Sequence, residues 1–299
     1  MRSYLNVIIF LGAISVFSCE KVITITPPPY QSRVSIQSML EPDSLPIVYF
    51  NKTVPYFDPK VSFSDLVIRN AVVKINDGQT VDILKLDSVY DKIYCQFNYY
   101  YKGSKQIKLN TTYTLLIIDG LDTYSANTNT SNLSKAVIDS VSYVQVFKDL
   151  YGEHEGVIVY FTDLPAQTNF YRYEMVRFVD TTTKRASEKI VSPCLGRDSI
   201  KIIEIGRSVY NDIGQNGLPV KIVIEPGYSH KLGTMGMISI QSIDKNAYDF
   251  FEQLDKQKLA QFNPFVEPVF LRDGQFGSKA VGYFSAMIKS IPKKFFYPE

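Results

Sequence analysis

From Arg33 onward, short runs in which apolar and polar residues alternate dominate the chain. One such run, residues 71–85, reads AVVKINDGQTVDILK, and Asp77-Gly78 separates its two alternating halves. This dipeptide favours a two-residue β-turn, because both central positions of a type I′ turn need positive φ. Turn-forming residues recur roughly every 8 to 15 residues, which is typical of β-sandwiches. The pattern predicts a mainly β fold.

One segment has the spacing of a helix instead. Its apolar residues follow the i, i+3, i+4, i+7 pattern and share one stripe: Ala247, Phe250, Phe251 and Leu254. Asp244 precedes the stripe and suits an N-cap, because its carboxylate accepts hydrogen bonds from the free N–H groups of the first turn. The pattern predicts a helix near residues 244–262 that packs on a sheet and ends before Pro264.

A stretch of small polar residues divides the β-rich chain. Residues 127–134 read NTNTSNLS and are predicted to form a loop between two domains. The first domain, residues 32–135, resembles the immunoglobulin-like and transthyretin-like β-sandwiches of surface proteins. Ala71–Gly78 and Tyr113–Leu115 carry that resemblance. Residues 136–299 are predicted to form a second β-rich domain that carries the helix.

The N-terminal residues have the pattern of a secretory signal. Arg2 is basic, and Leu5–Phe17 is an apolar run shorter than the about 20 residues that a membrane span needs. The run ends in Val-Phe-Ser-Cys, which resembles the lipobox of bacterial lipoproteins. Residues 1–18 are therefore the expected signal peptide and Cys19 the expected lipidation site. Residues 19–31, with three consecutive prolines, are predicted to be a tether in an extended polyproline II conformation.

The composition excludes some classes of protein. The chain has 299 residues, of which 45% are hydrophobic and 21% charged, as in ordinary folded domains. Its formal net charge of +2 gives no broad attraction for nucleic acid, so we expect no nucleic-acid partner. The 21 tyrosines and 19 phenylalanines favour strands.

The three cysteines leave one question open. If Cys19 carries lipid, then Cys95 and Cys194 remain. An oxidising compartment permits a disulfide between them. Two separately buried thiols are the alternative, and we favour it because the two residues fall in different predicted domains.

The sequence offers little catalytic chemistry. Only His154 and His230 are present, and the motifs of zinc hydrolases, serine hydrolases, P-loops and dinucleotide-binding folds are absent from the sequence. We therefore expect a protein that is not an enzyme and that needs no cofactor.

One acidic cluster is a candidate metal site. Glu153, His154 and Glu155 are adjacent between two glycines and offer three ligands for a divalent metal. Neighbouring side chains of a strand point to opposite faces, however, so all three converge only if the segment forms a loop. A solvated hairpin turn explains the glycines and charges better.

An aromatic run is a candidate ligand-binding surface. Alternation places Tyr99 and Tyr101 on one face of a predicted strand and Tyr100 on the other. A sugar or a peptide can stack on exposed rings, so we consider Tyr99 and Tyr101 as ligand-binding residues. The alternative is that these rings are ordinary strand residues that pack in the core.

Short Asp-Ser and Asp-Thr sequences resemble the O-glycosylation sequon of secreted Bacteroidota proteins. A site of this kind has to be exposed to be modified. The candidate residues are Ser44, Ser88, Ser140, Thr181 and Ser199.

Nearly the whole mature chain resembles one family, the Bacteroidota outer-membrane lipoproteins that are known as a domain of unknown function. The segments that carry the resemblance are Cys19–Lys21, Ala71–Val73, Asp163–Tyr171, Asn263–Pro268 and Gly282–Phe284. The resemblance implies a lipid anchor, an immunoglobulin-like first half and a second β domain. Genes of the family often lie beside genes of TonB-dependent receptors.

The resemblance implies a place in the cell and a type of partner. We expect a lipid-anchored protein on the periplasmic or cell-surface face of the outer membrane. We expect it to act as a non-enzymatic binding or accessory subunit of a TonB-dependent uptake system, with a TonB-dependent receptor as partner. The alternative is a structural or adhesive lipoprotein of a cell-surface assembly.

Overall fold

The structure of the chain is a computed structural model, in which Ser32–Glu299 form one compact unit. It describes residues 33–54, 63–131, 133–149, 152–165, 167–180, 194, 199–206, 209–214, 216–225, 230–262 and 269–298. The predicted signal peptide, Cys19 and the tether lie outside the described residues. Within them the chain is mainly β, as the sequence predicted.

Seven strands and a short helix make up what we call the first part of the molecule. They are β1 (Val34–Leu40), β2 (Ile47–Lys52), α1 (Phe63–Leu66), β3 (Val72–Asn76), β4 (Val81–Asp91), β5 (Gln96–Lys102), β6 (Thr112–Asp119) and β7 (Asp122–Asn129). Their order in the sheet is β1-β2-β5-β4-β3-β6-β7.

The sheet of the first part turns a corner within β4. Residues Val81–Leu84 pair with β3, whereas Lys85–Asp91 pair with β5. A strand that changes partner in this way lets a sheet fold over on itself and enclose a core. Inward-facing residues of all seven strands, among them Ile36, Val48 and Leu115, share one apolar core. This arrangement agrees with the predicted sandwich-like first half.

The β3–β4 connection is a hairpin, as predicted, but its turn is longer than the sequence indicated. Asn76 pairs with Val81, so four residues, 77–80, form the loop instead of two. Only Gly78 of these four has positive φ, at 85°. The Asp77 carboxylate stabilises the wider loop, because its Oδ1 accepts hydrogen bonds from the N–H groups of Gln79 and Thr80 at 3.0 and 2.6 Å.

The remaining elements form what we call the second part. They are β8 (Val137–Asp149), β9 (Gly152–Thr162), β10 (Phe170–Asp180), β11 (Ser199–Ile205), β12 (Tyr210–Asn211), β13 (Pro219–Ile224), β14 (Met235–Ile243), α2 (Lys245–Phe262), β15 (Ala280–Lys289) and β16 (Lys293–Phe296). Strands β13-β9-β8 form a separate sheet that faces β10, β14 and β16 across a second core. Phe161, Tyr171 and Ile240 lie in that core.

Strand β15 belongs to both parts. Its residues Ala280–Ala286 run parallel to β1, and Met287–Lys289 run antiparallel to β14. The two parts therefore share one continuous sheet of 13 strands. The predicted domain boundary after residue 135 stays a prediction. Strand β15, near the C-terminus, contributes Phe284 and Ala286 to the first core, so that core includes residues from both sides of the boundary.

The predicted helix is confirmed as α2, Lys245–Phe262, and Asp244 is its N-cap. Asp244 Oδ1 accepts a hydrogen bond from the Ala247 N–H at 3.0 Å. Its Oδ2 accepts from the Thr128 hydroxyl at 2.7 Å and from the Ala286 N–H at 3.0 Å. One carboxylate therefore joins α2 to β7 and β15. No helix among the described residues is long and apolar enough to cross a membrane.

Cys95 and Cys194 form a disulfide, with their Cα atoms 5.7 Å apart. The sequence-based preference for two separate thiols is therefore wrong. Ile93, in the β4–β5 turn, packs against Val179 and Ile202 of the second part. This packing brings the turn beside β10 and β11, and Cys95 beside Cys194.

Candidate functional site

A cavity of about 600 Å³ opens at one end of the first part. The β3–β4 turn and the segments that precede β2 and β6 surround it, and we call it the loop-end cavity. Its lining residues are Asp43, Pro46, Ile75, Asp77, Thr80, Asp82, Lys105, Gln106, Ile107, Lys108, Leu109 and Tyr113.

The floor of the loop-end cavity is apolar. Ile75, Ile107 and Tyr113 are each at most 3% exposed, and all three belong to the first core. The Tyr113 hydroxyl accepts a hydrogen bond from the Lys108 N–H at 2.7 Å, which fixes the segment above the floor. The apolar side of the cavity is therefore the outer edge of the first core.

A buried aspartate shapes one wall. Asp82 is 5% exposed and occupies an inward position of β4 that alternation reserves for an apolar residue. Its carboxylate accepts hydrogen bonds from the Ser104 N–H, the Ser104 hydroxyl and the Lys105 N–H, at 2.8, 2.8 and 2.9 Å. Three donors satisfy the buried charge, and they hold the chain at residues 103–105 in place.

The rim carries charges of both signs. Asp77 Oδ2 lies 3.1 Å from Lys108 Nζ in an ion pair. Hydrogen bonds from the N–H groups of Thr80 and Gln79 and from Lys108 hold the pKa of Asp77 well below its usual range, because they favour the charged carboxylate. Lys105 is exposed at the rim, where its Nζ donates to the Val81 carbonyl at 3.1 Å.

Sequence reasoning missed this site. Its polar residues come from three loops and, in the case of Asp82, from strand β4, and they do not form a recognisable motif. Asp82 was the available indication, because an aspartate at an inward strand position needs an explanation such as a cluster of donors.

The two tyrosines predicted to bind ligand have different surroundings. Tyr99 and Tyr101 share a face of β5, as the alternation predicted, but Tyr101 is 2% exposed and lies in the first core. Its hydroxyl donates to the Ile68 carbonyl at 2.8 Å. Tyr101 is therefore a core residue, as the alternative interpretation expected, and the prediction that it binds a ligand is wrong. Tyr99 is half-buried, with the Arg69 guanidinium 4.1 Å from its ring centre, and its role stays a prediction.

The acidic cluster at residues 153–155 lies within strand β9, not in a turn, so the preferred interpretation as a turn is wrong. Glu153 and Glu155 are two residues apart in this strand and so share one face, whereas only the backbone of His154 is described. Among the described residues, no three His, Cys, Asp or Glu side chains come close enough to hold a metal.

Glu155 instead joins a polar network at one end of the second core. Its Oε2 accepts a hydrogen bond from the Tyr143 hydroxyl at 2.5 Å, and its Oε1 lies 3.5 Å from His230 Nδ1. The His230 ring stacks on that of Tyr297, with centroids 4.1 Å apart. Burial raises the pKa of both Tyr143 and Tyr297 above the usual value. Only the tertiary structure brings these residues together.

The glycosylation candidates differ in exposure. Ser44 is exposed in the β1–β2 connection, and Ser140 is exposed on β8. Ser88 is half-buried on β4, which makes modification harder. Thr181 lies outside the described residues, and for Ser199 only the backbone, at the start of β11, is described. The modification stays a prediction for all five.

The fold and the cavity together define a two-part β protein with a ligand-sized cavity at the end of one sandwich. Residues 20–289 match the family model described as a domain of unknown function, DUF4249. Because the match spans most of the chain, the chain belongs to this family. No curated protein matches the chain.

Proposed function

We propose that this protein is a Bacteroidota lipoprotein that serves as a non-enzymatic binding subunit of a TonB-dependent uptake system at the outer membrane. Lipid on Cys19 would hold it on the membrane. The observation that carries the binding role is the loop-end cavity, with its apolar floor and charged rim. A TonB-dependent receptor is the proposed partner.

The size of the cavity supports a small ligand. Ligand sites of proteins typically have volumes of roughly 300–1,000 Å³, lined by apolar groups with a few placed polar groups. The loop-end cavity, at about 600 Å³, falls in this range. A ligand with an apolar body and hydrogen-bonding ends would suit the floor and the rim.

The placement of the cavity also supports binding. It lies in loops at the end of a sandwich, where ligand-binding residues are commonly positioned by a rigid sheet. The Cys95–Cys194 disulfide adds support for a compartment outside the cytoplasm, because disulfides persist in oxidising surroundings.

The partner is tested by recovery of the tagged full-length protein from its own outer membranes in mild detergent, followed by mass spectrometry. We expect a TonB-dependent receptor in stoichiometric amount. A Cys19→Ala variant is the control for the anchor, and we expect it to leave the membrane fraction. Recovery of the protein without any receptor would rule out the uptake role.

The cavity is tested with a tryptophan reporter, since the chain has no tryptophan of its own. Leu109 lines the cavity and is 49% exposed, so Leu109→Trp places an indole at the rim. Leu121→Trp, in the exposed β6–β7 turn, is the matched control. In a screen of short peptides and oligosaccharides, we expect a bound compound to change the emission of the first variant alone. Equal changes in both would contradict binding in the cavity.

A structural or adhesive role at the cell surface is the second candidate. The observation that favours it is an apolar patch on the β4–β5 hairpin, where Tyr90, Tyr94 and Phe97 are 42%, 66% and 50% exposed. Exposed aromatic groups are common in protein–protein contacts. Recovery of surface-assembly proteins in place of a receptor would support this role.

A further inference from the structure

Two carboxylates are buried together at one end of the second part. Asp163 follows β9 and is fully buried, and Asp212 follows β12 and is 1% exposed. The Asn169 side-chain amide lies between them, and its Nδ2 is 3.1 Å from Asp163 Oδ1 and 3.4 Å from Asp212 Oδ2. We call these three residues the two-aspartate cluster.

Asp163 is well supplied with hydrogen-bond donors. Its Oδ1 accepts from the Tyr171 hydroxyl as well as from Asn169, and its Oδ2 accepts from the Gly217 N–H at 2.7 Å. Asp212 has few such donors. Within the described part of the chain, the only hydrogen bond to its carboxylate is the 3.4 Å contact from Asn169 to Oδ2, and its Oδ1 has no partner there. A buried carboxylate oxygen without a partner costs free energy.

The negative charge of the cluster also has no cationic partner among the described residues. Neither Asp163 nor Asp212 pairs with a lysine, arginine or histidine among the described residues. Buried charges in proteins are usually paired or bound to a metal, because the cost of removing them from water is large. Within the described part of the chain, the cluster therefore lacks the positive charge that would offset its two carboxylates.

The Asn169 amide marks where such a charge fits. Besides the two carboxylates, Nδ2 faces the carbonyl oxygens of Leu164 and Gln167, at 2.8 and 3.1 Å. Two amide hydrogens cannot serve four acceptors at once. The four oxygens thus lie 2.8–3.4 Å from one point, about 0.5–0.8 Å farther than calcium ligands lie from their ion.

We propose that the two-aspartate cluster binds a calcium ion. The ion would take the place of the amide nitrogen, with carboxylate oxygens of Asp163 and Asp212 and the carbonyl oxygens of Leu164 and Gln167 as ligands. The Asn169 side chain has to leave this position for the ion to bind, and its Oδ1 then gives up the hydrogen bond from Gln167 Nε2 at 2.9 Å. Waters complete the shell. This inference is independent of the proposed uptake function.

The donor set favours calcium over magnesium and transition metals. All its donors are oxygens, which suits hard cations, and two of them are backbone carbonyls, which are common calcium ligands. Magnesium demands a nearly ideal octahedron at about 2.0–2.1 Å, which is far smaller than the observed shell. The bound ion would tie the β9–β10 connection to the β12–β13 connection. Asn169 also lines a second cavity, of about 430 Å³, beside Asp244.

The first test uses the unmodified full-length protein in detergent, stripped with EDTA and titrated calorimetrically with CaCl₂ and, separately, MgCl₂. We expect one calcium per chain with a Kd of about 10⁻⁴–10⁻³ M, as in extracellular modules, and at least tenfold weaker binding of magnesium. The absence of any calcium binding up to about 10 mM, well above that range, would overturn the proposal.

The second test uses terbium as a luminescent substitute for calcium. With no tryptophan present, tyrosine is the sensitiser, and the Tyr171 hydroxyl contacts Asp163. We expect sensitised emission from the wild type that CaCl₂ abolishes and that falls severalfold in Tyr171→Phe. Unchanged emission in Tyr171→Phe would place the terbium elsewhere and contradict the site. This test needs no change to a carboxylate.

Variants complete the design. Asp212→Asn keeps the shape of the side chain and removes its charge, so we expect a Kd for calcium at least tenfold weaker. Asp122→Asn removes an exposed charge on β7 and should leave the Kd within twofold. Circular dichroism verifies that each variant folds. If Asp212→Asn binds calcium as tightly as the wild type does, Asp212 is no ligand and the proposed site is wrong.

Discussion

The two parts of the molecule are both β-rich, but their cores differ in kind. The first core is almost wholly apolar, and its buried carboxylate, Asp82, is satisfied by donors of the neighbouring loop. The second part buries several charged or titratable side chains: Asp163, Arg172, Arg177, Asp212 and His230. Apolar burial alone can explain the first part, whereas the second depends on polar partners that must all be in place.

This difference suggests a division of roles. An apolar core is insensitive to pH and ions, so the first part is a stable platform for the loop-end cavity. Buried polar groups respond to protons and cations, because their charge is costly without a partner. The second part is therefore the part whose core should depend on solution conditions, whereas in the first part such dependence should come from groups outside the core, such as Asp77. Strand β15 couples that dependence to the first part, because it lies in both.

The largest effect is expected at the strand that joins the two parts. Gly282 of β15 has φ of 126°, and a Cβ at this position would overlap the carbonyl oxygen of Ile36 on β1. Because that oxygen belongs to the backbone, relief requires the strands to separate. We expect Gly282→Ala to lower the free energy of unfolding by about 4 kcal/mol or more in urea titrations.

Gly120→Ala is the matched control for this change. Gly120 also has positive φ, at 59°, but nothing lies within 4 Å of its added Cβ. We expect a loss of about 1 kcal/mol from backbone strain alone. Equal losses in the two variants would show that the close approach of β1 and β15 contributes nothing to the destabilisation by Gly282→Ala.

The next effect concerns the disulfide that links the parts. Cys95 and Cys194 are 99 residues apart in sequence. A disulfide that closes a loop of this length stabilises the folded state by about 4 kcal/mol, because it lowers the entropy of the unfolded chain. We expect a Cys95→Ser, Cys194→Ser double variant to be less stable by about that amount in chemical unfolding. Wild type in reducing agent should match the variant. Stability unaffected by reducing agent would contradict a structural role for the bridge.

A smaller effect distinguishes the two cores. Arg177 is 1% exposed, and its Nη2 lies 3.0 Å from Glu204 Oε2 in the second part. Arg177→Met leaves Glu204 without this cation, so we expect a loss of about 3 kcal/mol. Replacement of both, with Arg177→Met and Glu204→Leu, should recover about half of the loss. If the double variant is no more stable than the single variant, Arg177 stabilises the fold by packing and not by its charge.

The smallest effect is a pH dependence in the first part. The pKa of Asp77 is lowered on folding, so its charge stabilises the fold above the unfolded pKa of about 3.9. That contribution is lost as the pH falls through the lower folded pKa. We expect Asp77→Asn to cost about 1 kcal/mol at pH 7, by loss of charge-assisted hydrogen bonds.

The Asp77→Asn test is a comparison of urea titrations at pH 7 and below pH 4. The difference between the variant and the wild type should shrink as the pH falls below 4, because the unfolded wild type then takes up a proton at Asp77 that the folded state, with its lower pKa, does not. Thr80→Val is the control, because it removes the hydroxyl that donates to Asp77 and keeps the charge. A difference that stays constant with pH would contradict the role of the charge.

Local features were predictable because they depend on neighbours in sequence. Apolar spacing and the cap at Asp244 predicted α2 within one residue of its bounds. The β3–β4 hairpin was predicted as well, although the capping power of the Asp77 side chain widened its turn. The face of β5 that holds Tyr101 could not be assigned, since alternation separates two faces of a strand without indicating which of them meets the core.

The sequence by itself determined the β-rich class, helix α2 and the similarity that led to the family, because strand and helix periods, caps and motifs are written in consecutive residues. Tertiary structure alone decided what lies far apart along the chain. It brought β15 beside β1, paired Cys95 with Cys194, and placed Asp163 against Asp212. The physical reason is that long-range pairing depends on how all the buried faces pack together, and no local pattern records that packing.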